Sequence, residues 1–221
     1  EVFFVTDPYY TFQPLWLVIV AALVVAIICG LWNGVLVSYM RIQPMVATLI
    51  LMISGRGIAQ LITNGVRVQI TYAPYAYIGQ GWVVLPFSLY IVAFIFALTW
   101  LLTRKTAIGM FIESVGTNFR SSFFSGIDEK RIKLVVYTFC GFCAGIAGLI
   151  ASSNIKTSDA NNLGFATELD AILAVVIGGT SMAGGRFSLL ASMIGALVMQ
   201  AITQSMYAVG VPAFALQAIK A

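Results

Sequence analysis

Leu15-Trp-Leu-Val-Ile-Val-Ala-Ala-Leu-Val-Val-Ala-Ile-Ile-Cys-Gly30, continuing as Leu31-Trp-Asn-Gly-Val-Leu-Val-Ser-Tyr-Met40, is 26 residues without a charge. As a helix it would be ~39 Å long, more than the ~30 Å hydrocarbon layer of a bilayer. Pro14 is placed to start such a helix and Arg41 to end it. A water-soluble domain has nowhere to bury a helix that is apolar on every side, so this stretch sets the class as a membrane protein.

Working outward, the same pattern recurs. Spans are expected at 43–63, entered through Pro44, and at 82–102, 134–153 and 187–209, with a shorter glycine-ended segment at 169–185. The composition agrees: 60% of the 221 residues are hydrophobic and 9% charged, and the mean hydropathy is +0.97. The fold expected is all-α, a polytopic transmembrane bundle with broken or re-entrant helices near Gly178–Gly185. No 20-to-50-residue repeat and no linker appears, so residues 1–221 read as one transmembrane domain. The chain begins with Glu1, and no basic segment precedes its first apolar run, so it reads as an internal portion of a longer protein.

Function classes fall away at this stage. There is no histidine, which removes the commonest general base and metal ligand, so neither an enzyme nor a metal or cofactor site is expected. Cys29, Cys140 and Cys143 lie in apolar runs and imply no disulfide framework. The Cys140-x-x-Cys143 spacing reads as small buried residues beside Gly141, Gly145 and Gly148, a helix-packing seam, and not as a redox pair. The net charge of +4 comes from cations in loops, which speaks for membrane orientation and against nucleic acid. With Arg41 on the cytoplasmic side, alternate crossings put eight cations there: Arg41, Arg186, and Arg104, Lys105, Arg120, Lys130, Arg131 and Lys133. Arg67 and Lys156 are left outside, as the positive-inside rule asks.

Two loops carry the rest of the reading. In 103–133, Ile108, Phe111, Ile112, Val115, Phe119 and Phe123 share one helical face, opposite Glu113, Gly116, Thr117 and Arg120. That pattern fits a helix docking a soluble partner, or equally one lying at the membrane surface. In 64–81 and its border, Tyr72, Tyr75, Tyr77 and Trp82 read as an interfacial aromatic belt before a sugar-stacking surface. The glycines of 178–185 do not form a phosphate loop, because Gly185 and Arg186 stand where lysine and a hydroxyl residue belong.

Polar groups inside the spans are the pathway candidates. Arg56 is costly in a bilayer and must face protein or water, with Gln60 and Thr63 following on its helical face and Asp170 or Glu168 as candidate partners. A structural pairing predicts that Arg56→Ala lowers the yield of folded protein, measured after detergent extraction; full yield with transport abolished overturns it. Asn33 sits on a Gly30/Gly34 seam as an interhelical hydrogen bonder. Gln200 and Gln204, with Asn33 and Gln60, offer amides to a neutral sugar or to neighbouring helices. Asp159-Ala-Asn161-Asn162 reads as a solvated turn that also offers hydroxyl-recognising groups at the outer mouth.

At these residues the chain resembles the permease subunits of ribose- and galactose-type ABC sugar importers. The matching stretches are Gly30-Leu-Trp-Asn-Gly34, Ile42-Gln-Pro-Met-Val-Ala-Thr-Leu-Ile-Leu-Met52 and Gly55-Arg-Gly-Ile-Ala-Gln-Leu-Ile-Thr63. Further on are Trp100-Leu-Leu-Thr-Arg-Lys-Thr-Ala-Ile-Gly-Met-Phe-Ile-Glu113, Asp159-Ala-Asn-Asn162, Glu168-Leu-Asp-Ala-Ile-Leu-Ala-Val-Val-Ile-Gly-Gly179 and Gly184-Gly-Arg-Phe187. The resemblance implies a multi-pass subunit of the bacterial inner membrane that imports galactofuranose or a related monosaccharide. Its implied partners are ATP-binding subunits that hydrolyse the ATP, a second permease (identical or a sister) and a periplasmic sugar-binding protein. It further implies that Gly116, Asn118, Gly126 and Ile127, with Glu113 and Arg120 nearby, contact the ATPase. A glycine-isoleucine-aspartate-leucine-serine segment and a final helix typical of the family are not found here, so these residues are not expected to transport alone. The rival reading is an ATP-independent secondary transporter or channel in which Arg56 and Asp170 form the coupling site.

Overall fold

The computed structural model describes residues 15–210 except 71–72, 83–84, 119–121, 123, 165–166, 182–183 and 186. Among the described residues, five helices are long and apolar enough to cross a membrane. They are α1 (Leu15–Ser38), α2 (Pro44–Thr63), α4 (Phe87–Lys105), α6 (Glu129–Ile155) and α8 (Leu189–Ala208). Three shorter helices intervene, α3 (Ala73–Gln80), α5 (Ala107–Thr117) and α7 (Thr167–Ile177). Two short strands, β1 (Val68–Gln69) and β2 (Thr157–Ser158), pair antiparallel with Val68 opposite Ser158. The chain is therefore the all-α, multi-pass membrane protein expected.

Large apolar side chains point outward, as in Ile53, Phe94 and Leu197, and no residue of α4 is buried. Lipid accepts such surfaces, and apolar burial no longer drives helices together, so small residues that let backbones touch decide the packing. The α1–α6 pair shows this. A Cβ on Gly30 would lie 2.7 Å from the carbonyl oxygen of Tyr137, and one on Gly141 would lie 2.8 Å from Gly30 Cα. Ala26 meets Gly145 and Gly34 meets Leu134, so the two helices run antiparallel. Gly148, expected on the same seam, meets nothing within 4 Å, and Cys140 is exposed on α6 instead of buried. Cys140 is turned about 100° from Gly141 round the helix, whereas Gly148, seven residues on, shares the Gly141 side but has no neighbour within 4 Å there. The second pair, α7 and α8, is also antiparallel: Gly178 meets Ala191 and Ser192, and Gly195 meets the Ala174 carbonyl.

Helix ends depart from the apolar limits for local reasons. α6 starts at Glu129, five residues before the expected Leu134, because its charged first turn is capped and paired. Asp128 accepts the Lys130 N–H at 3.1 Å and holds Arg131 at 3.0 Å, while Glu129 pairs with Lys133. α4 starts at Phe87, not Trp82, because Pro86 precedes it and the Phe87 N–H donates to the Gly81 carbonyl at 2.8 Å. Its last turn extends to Arg104 and Lys105, cations that suit a helix C-terminus. α7 is 11 residues long, roughly 16 Å, and stops at Gly178 without crossing the ~30 Å layer. The helix is thus interrupted where the glycines led one to expect it.

The expected loop 64–81 contains β1 and α3, and α3 docks on the end of α6. Ser153, fully buried, donates to the Tyr75 carbonyl at 2.6 Å and accepts the Gly79 N–H at 2.8 Å. Gln80 adds a bond to the Asn154 carbonyl at 2.8 Å. Tyr75 is accordingly buried, its hydroxyl donating to the Leu149 carbonyl at 3.4 Å, whereas Tyr77 and Trp82 are exposed as a belt requires. Tyr72 lies outside the described residues.

Candidate functional site

Helix α2 carries Thr48, Met52, Arg56, Ala59 and Thr63 at steps of three or four, which puts them on one face. That face lines an open cleft of about 590 Å³, bordered by Cys29 of α1 and by Ser158, Asp159, Ala160 and Leu163 after α6. The volume is within the range of small-molecule sites. Arg56 is half-buried in it, so its charge faces the cleft side of α2 and not a continuous apolar wall.

The turn that borders the cleft is organised by Asp159, 9% exposed. One carboxylate oxygen accepts the Asn161 backbone N–H at 2.9 Å. The other accepts the Asn162 side-chain amide at 2.8 Å and the Arg67 guanidinium at 2.8 Å. The Asn162 bond above all, then the Asn161 N–H, with the Arg67 charge adding to them, hold the Asp159 carboxyl below the usual carboxylate range. With the turn fixed in this way, Asn161 presents its side chain to α2, where Gln60 Nε2 donates to Asn161 Oδ1 at 2.5 Å. The β1–β2 ladder continues the same clasp, joining the segment after α2 to the segment after α6.

The sequence candidates therefore separate into groups. Arg56 lines the cleft, Gln60 and Asn161 bond to each other without lining it, and Asn162 holds Asp159, which does line it. Asn33 is buried on the face of α1 that also holds Gly30 and Gly34, but its Oδ1 has no hydrogen-bond partner among the described residues, so that oxygen does not make the expected interhelical bond. Asp170 is half-buried in the first turn of α7, where a carboxylate suits the helix dipole, and does not line the cleft. Gln200 and Gln204 are exposed on α8. Sequence reasoning passed over Thr48 and Met52, whose signal was their spacing from Arg56. It also counted Arg67 only as an outer cation.

The coupling candidates lie at the other end of α6, whose 27 residues span about 40 Å. Glu113 is half-buried on α5, and Gly116 and Asn118 are exposed at its C-terminal end. The Asn118 N–H donates to the Ser114 carbonyl at 3.1 Å, and the Asn118 carbonyl accepts from the Ser122 N–H at 3.1 Å. Ser122, buried, then accepts the Ile127 N–H at 3.1 Å through its carbonyl, past Gly126 with φ +79°. Arg120 lies outside the described residues.

The chain is thus a multi-pass helical protein with an open cleft beside α2 and a short helical segment, α5, at the opposite end of α6. Comparison with known proteins makes this specific. The chain belongs to the family described as branched-chain amino acid transport system / permease component, whose match covers residues 4–219. It is 48% identical over 206 residues to the galactofuranose transporter permease of Escherichia coli, covering 93% of this chain and 60% of that one. It is 42% identical over 203 residues to the fructose import permease of Bifidobacterium longum, covering 90% and 57%. The ribose import permease of Escherichia coli is 32% identical over 209 residues, covering 92% and 64%. The chain thus spans about three fifths of the length of these relatives. No solved structure matches it.

Proposed function

We propose that this chain forms part of the translocation pathway of an ATP-driven importer for galactofuranose or a related monosaccharide, in a bacterial inner membrane. On this reading it is not itself an enzyme: a second permease completes the pathway, ATP-binding subunits dock on the 103–133 segment, and a periplasmic binding protein delivers the sugar. The observation that carries the reading is the family match over residues 4–219, with the open cleft of about 590 Å³ beside Arg56, whose lining includes Thr48, Thr63 and Ser158. Hydroxyls suit a neutral polyol, which needs several directional hydrogen bonds and little net charge. The choice of sugar rests on the 48% identity to the galactofuranose permease.

The test is uptake of labelled galactofuranose by the full-length permease in liposomes, with its ATPase and binding protein. Uptake requiring both ATP and the binding protein is the expected result. Uptake without ATP that follows an ion gradient would overturn the proposal and turn attention to Arg56 and Asp170 as a coupling pair.

A further inference from the structure

Helix α5 is joined to α4 at Thr106, which is extended (φ −115°, ψ 160°) and breaks the helix into an elbow. Its 11 residues form a lever of roughly 16 Å. The far end of that lever touches a distant part of the chain. A Cβ on Gly116 would lie 3.3 Å from the Gly185 carbonyl oxygen and 3.4 Å from its nitrogen. A Cβ on Gly184 would lie 2.6 Å from the Gly116 carbonyl oxygen. Gly184 and Gly185 have φ +95° and +117°, a conformation that glycine alone takes up without strain. Backbone therefore meets backbone, with no side chain between to yield.

Behind this contact, Gly178 and Thr180 donate to the Ala174 and Val175 carbonyls at 3.0 and 3.2 Å, holding residues 178–180 on the end of α7, and Gly184 donates to the Ser181 carbonyl at 3.3 Å. α7 is packed backbone-to-backbone on α8 through Gly178 and Gly195, and α8 starts at Leu189, four residues after Gly185. A push on α5 has a direct route into the α7–α8 hairpin.

We infer that Gly116, Gly184 and Gly185 form the joint through which movement of α5 reaches the α7–α8 hairpin, Gly184 and Gly185 acting as positioning residues for transport. This rests on the reading of 103–133 as the segment that docks the ATPase. A lever of this kind couples two events only if it stays in contact, because the coupling free energy passes through that contact.

The experiment uses the full-length permease in liposomes with its ATPase and binding protein, and measures sugar taken up per ATP hydrolysed. Gly184→Ala should lower that ratio about tenfold with the ATPase subunits still copurifying, and Gly116→Ala should lower it a few-fold per copurified ATPase. The control is Gly179→Ala: Gly179 has φ +76° but meets nothing within 4 Å, so it carries backbone strain without the contact. It should keep the ratio within about twofold of wild type, well inside the range of a coupling effect. Equal losses in Gly184→Ala and Gly179→Ala, or a wild-type ratio in Gly116→Ala, would refute the joint. If Gly184→Ala fails to assemble, Gly116→Ala decides, since its position is exposed and helical. A wild-type complex that takes up sugar without ATP refutes the importer reading and the joint with it, whereas normal coupling in all the variants refutes the joint alone.

Discussion

Gly141→Val is expected to cut the yield of folded, monodisperse protein about tenfold, because a side chain at that position must force α1 and α6 apart. The nearest atoms to its Cβ are the Ala26 carbonyl oxygen at 2.6 Å and Gly30 Cα at 2.8 Å, both backbone and unable to rotate away. Overpacking typically costs about 1–3 kcal/mol, and at this seam relief requires moving a whole helix. Lost α1–α6 contact also removes the packing that holds transmembrane helices together where no hydrophobic drive remains. Gly148→Val on the same helix, where nothing lies within 4 Å, makes the comparison, and it should fold like wild type. Gel filtration and thermal midpoints in detergent read both. Equal behaviour of the two variants would show that the seam does not limit folding.

The second large effect is expected at the cleft. Asp159→Ala should lower transport on the order of tenfold in the full-length complex, with folded yield nearly unchanged. The turn loses the acceptor for Asn161, Asn162 and Arg67 together, and Asn161 then no longer faces Gln60. Arg67→Ala should do less, because the Arg67 side chain is 70% exposed and an ion pair screened by solvent contributes little. The pH dependence has a definite sign. The Asp159 carboxyl is held below its ordinary value, so its bonds are complete at neutral pH and are lost only as pH falls through that lowered value. Between about pH 5 and 8, above the ordinary carboxylate pKa near 3.9, Asp159 should impose no change on uptake. The Asp159→Asn variant, unable to accept from all three donors, should resemble Asp159→Ala at each of these pH values. Full uptake by either variant would remove Asp159 from the mechanism.

Much of this architecture was legible in the residues, for a plain reason. A bilayer demands helices of a minimum length that are apolar all round, so the run from Leu15 to Met40 and its four successors could be placed by counting. Their ends moved by up to five residues where Asp128 and Pro86 act, since caps and prolines override hydropathy locally. The break near Gly178 was legible too, because two adjacent glycines end an apolar helix too short to span. Arg56, Gln60 and Thr63 fell on one face by the 3.6-residue period alone.

Tertiary structure decided which polar groups meet. Gln60 and Asn161 lie 101 positions apart, and nothing in either neighbourhood names the other. Glycine composition suggested a seam on α6, and Gly141, Gly145 and Gly148 share one side by period. Yet α1 meets the first two and nothing lies within 4 Å of Gly148, because how far two helices stay in contact is set by how they cross and not by either sequence. Tyr75 looked like a belt residue until α3 turned it onto α6 and Ser153 fixed it there. The contact between Gly116 and Gly184–Gly185 has no sequence signature at all. Hydropathy is a property of each segment against lipid and is written locally. Backbone-to-backbone contact is a property of two segments at once, and only the folded chain sets it.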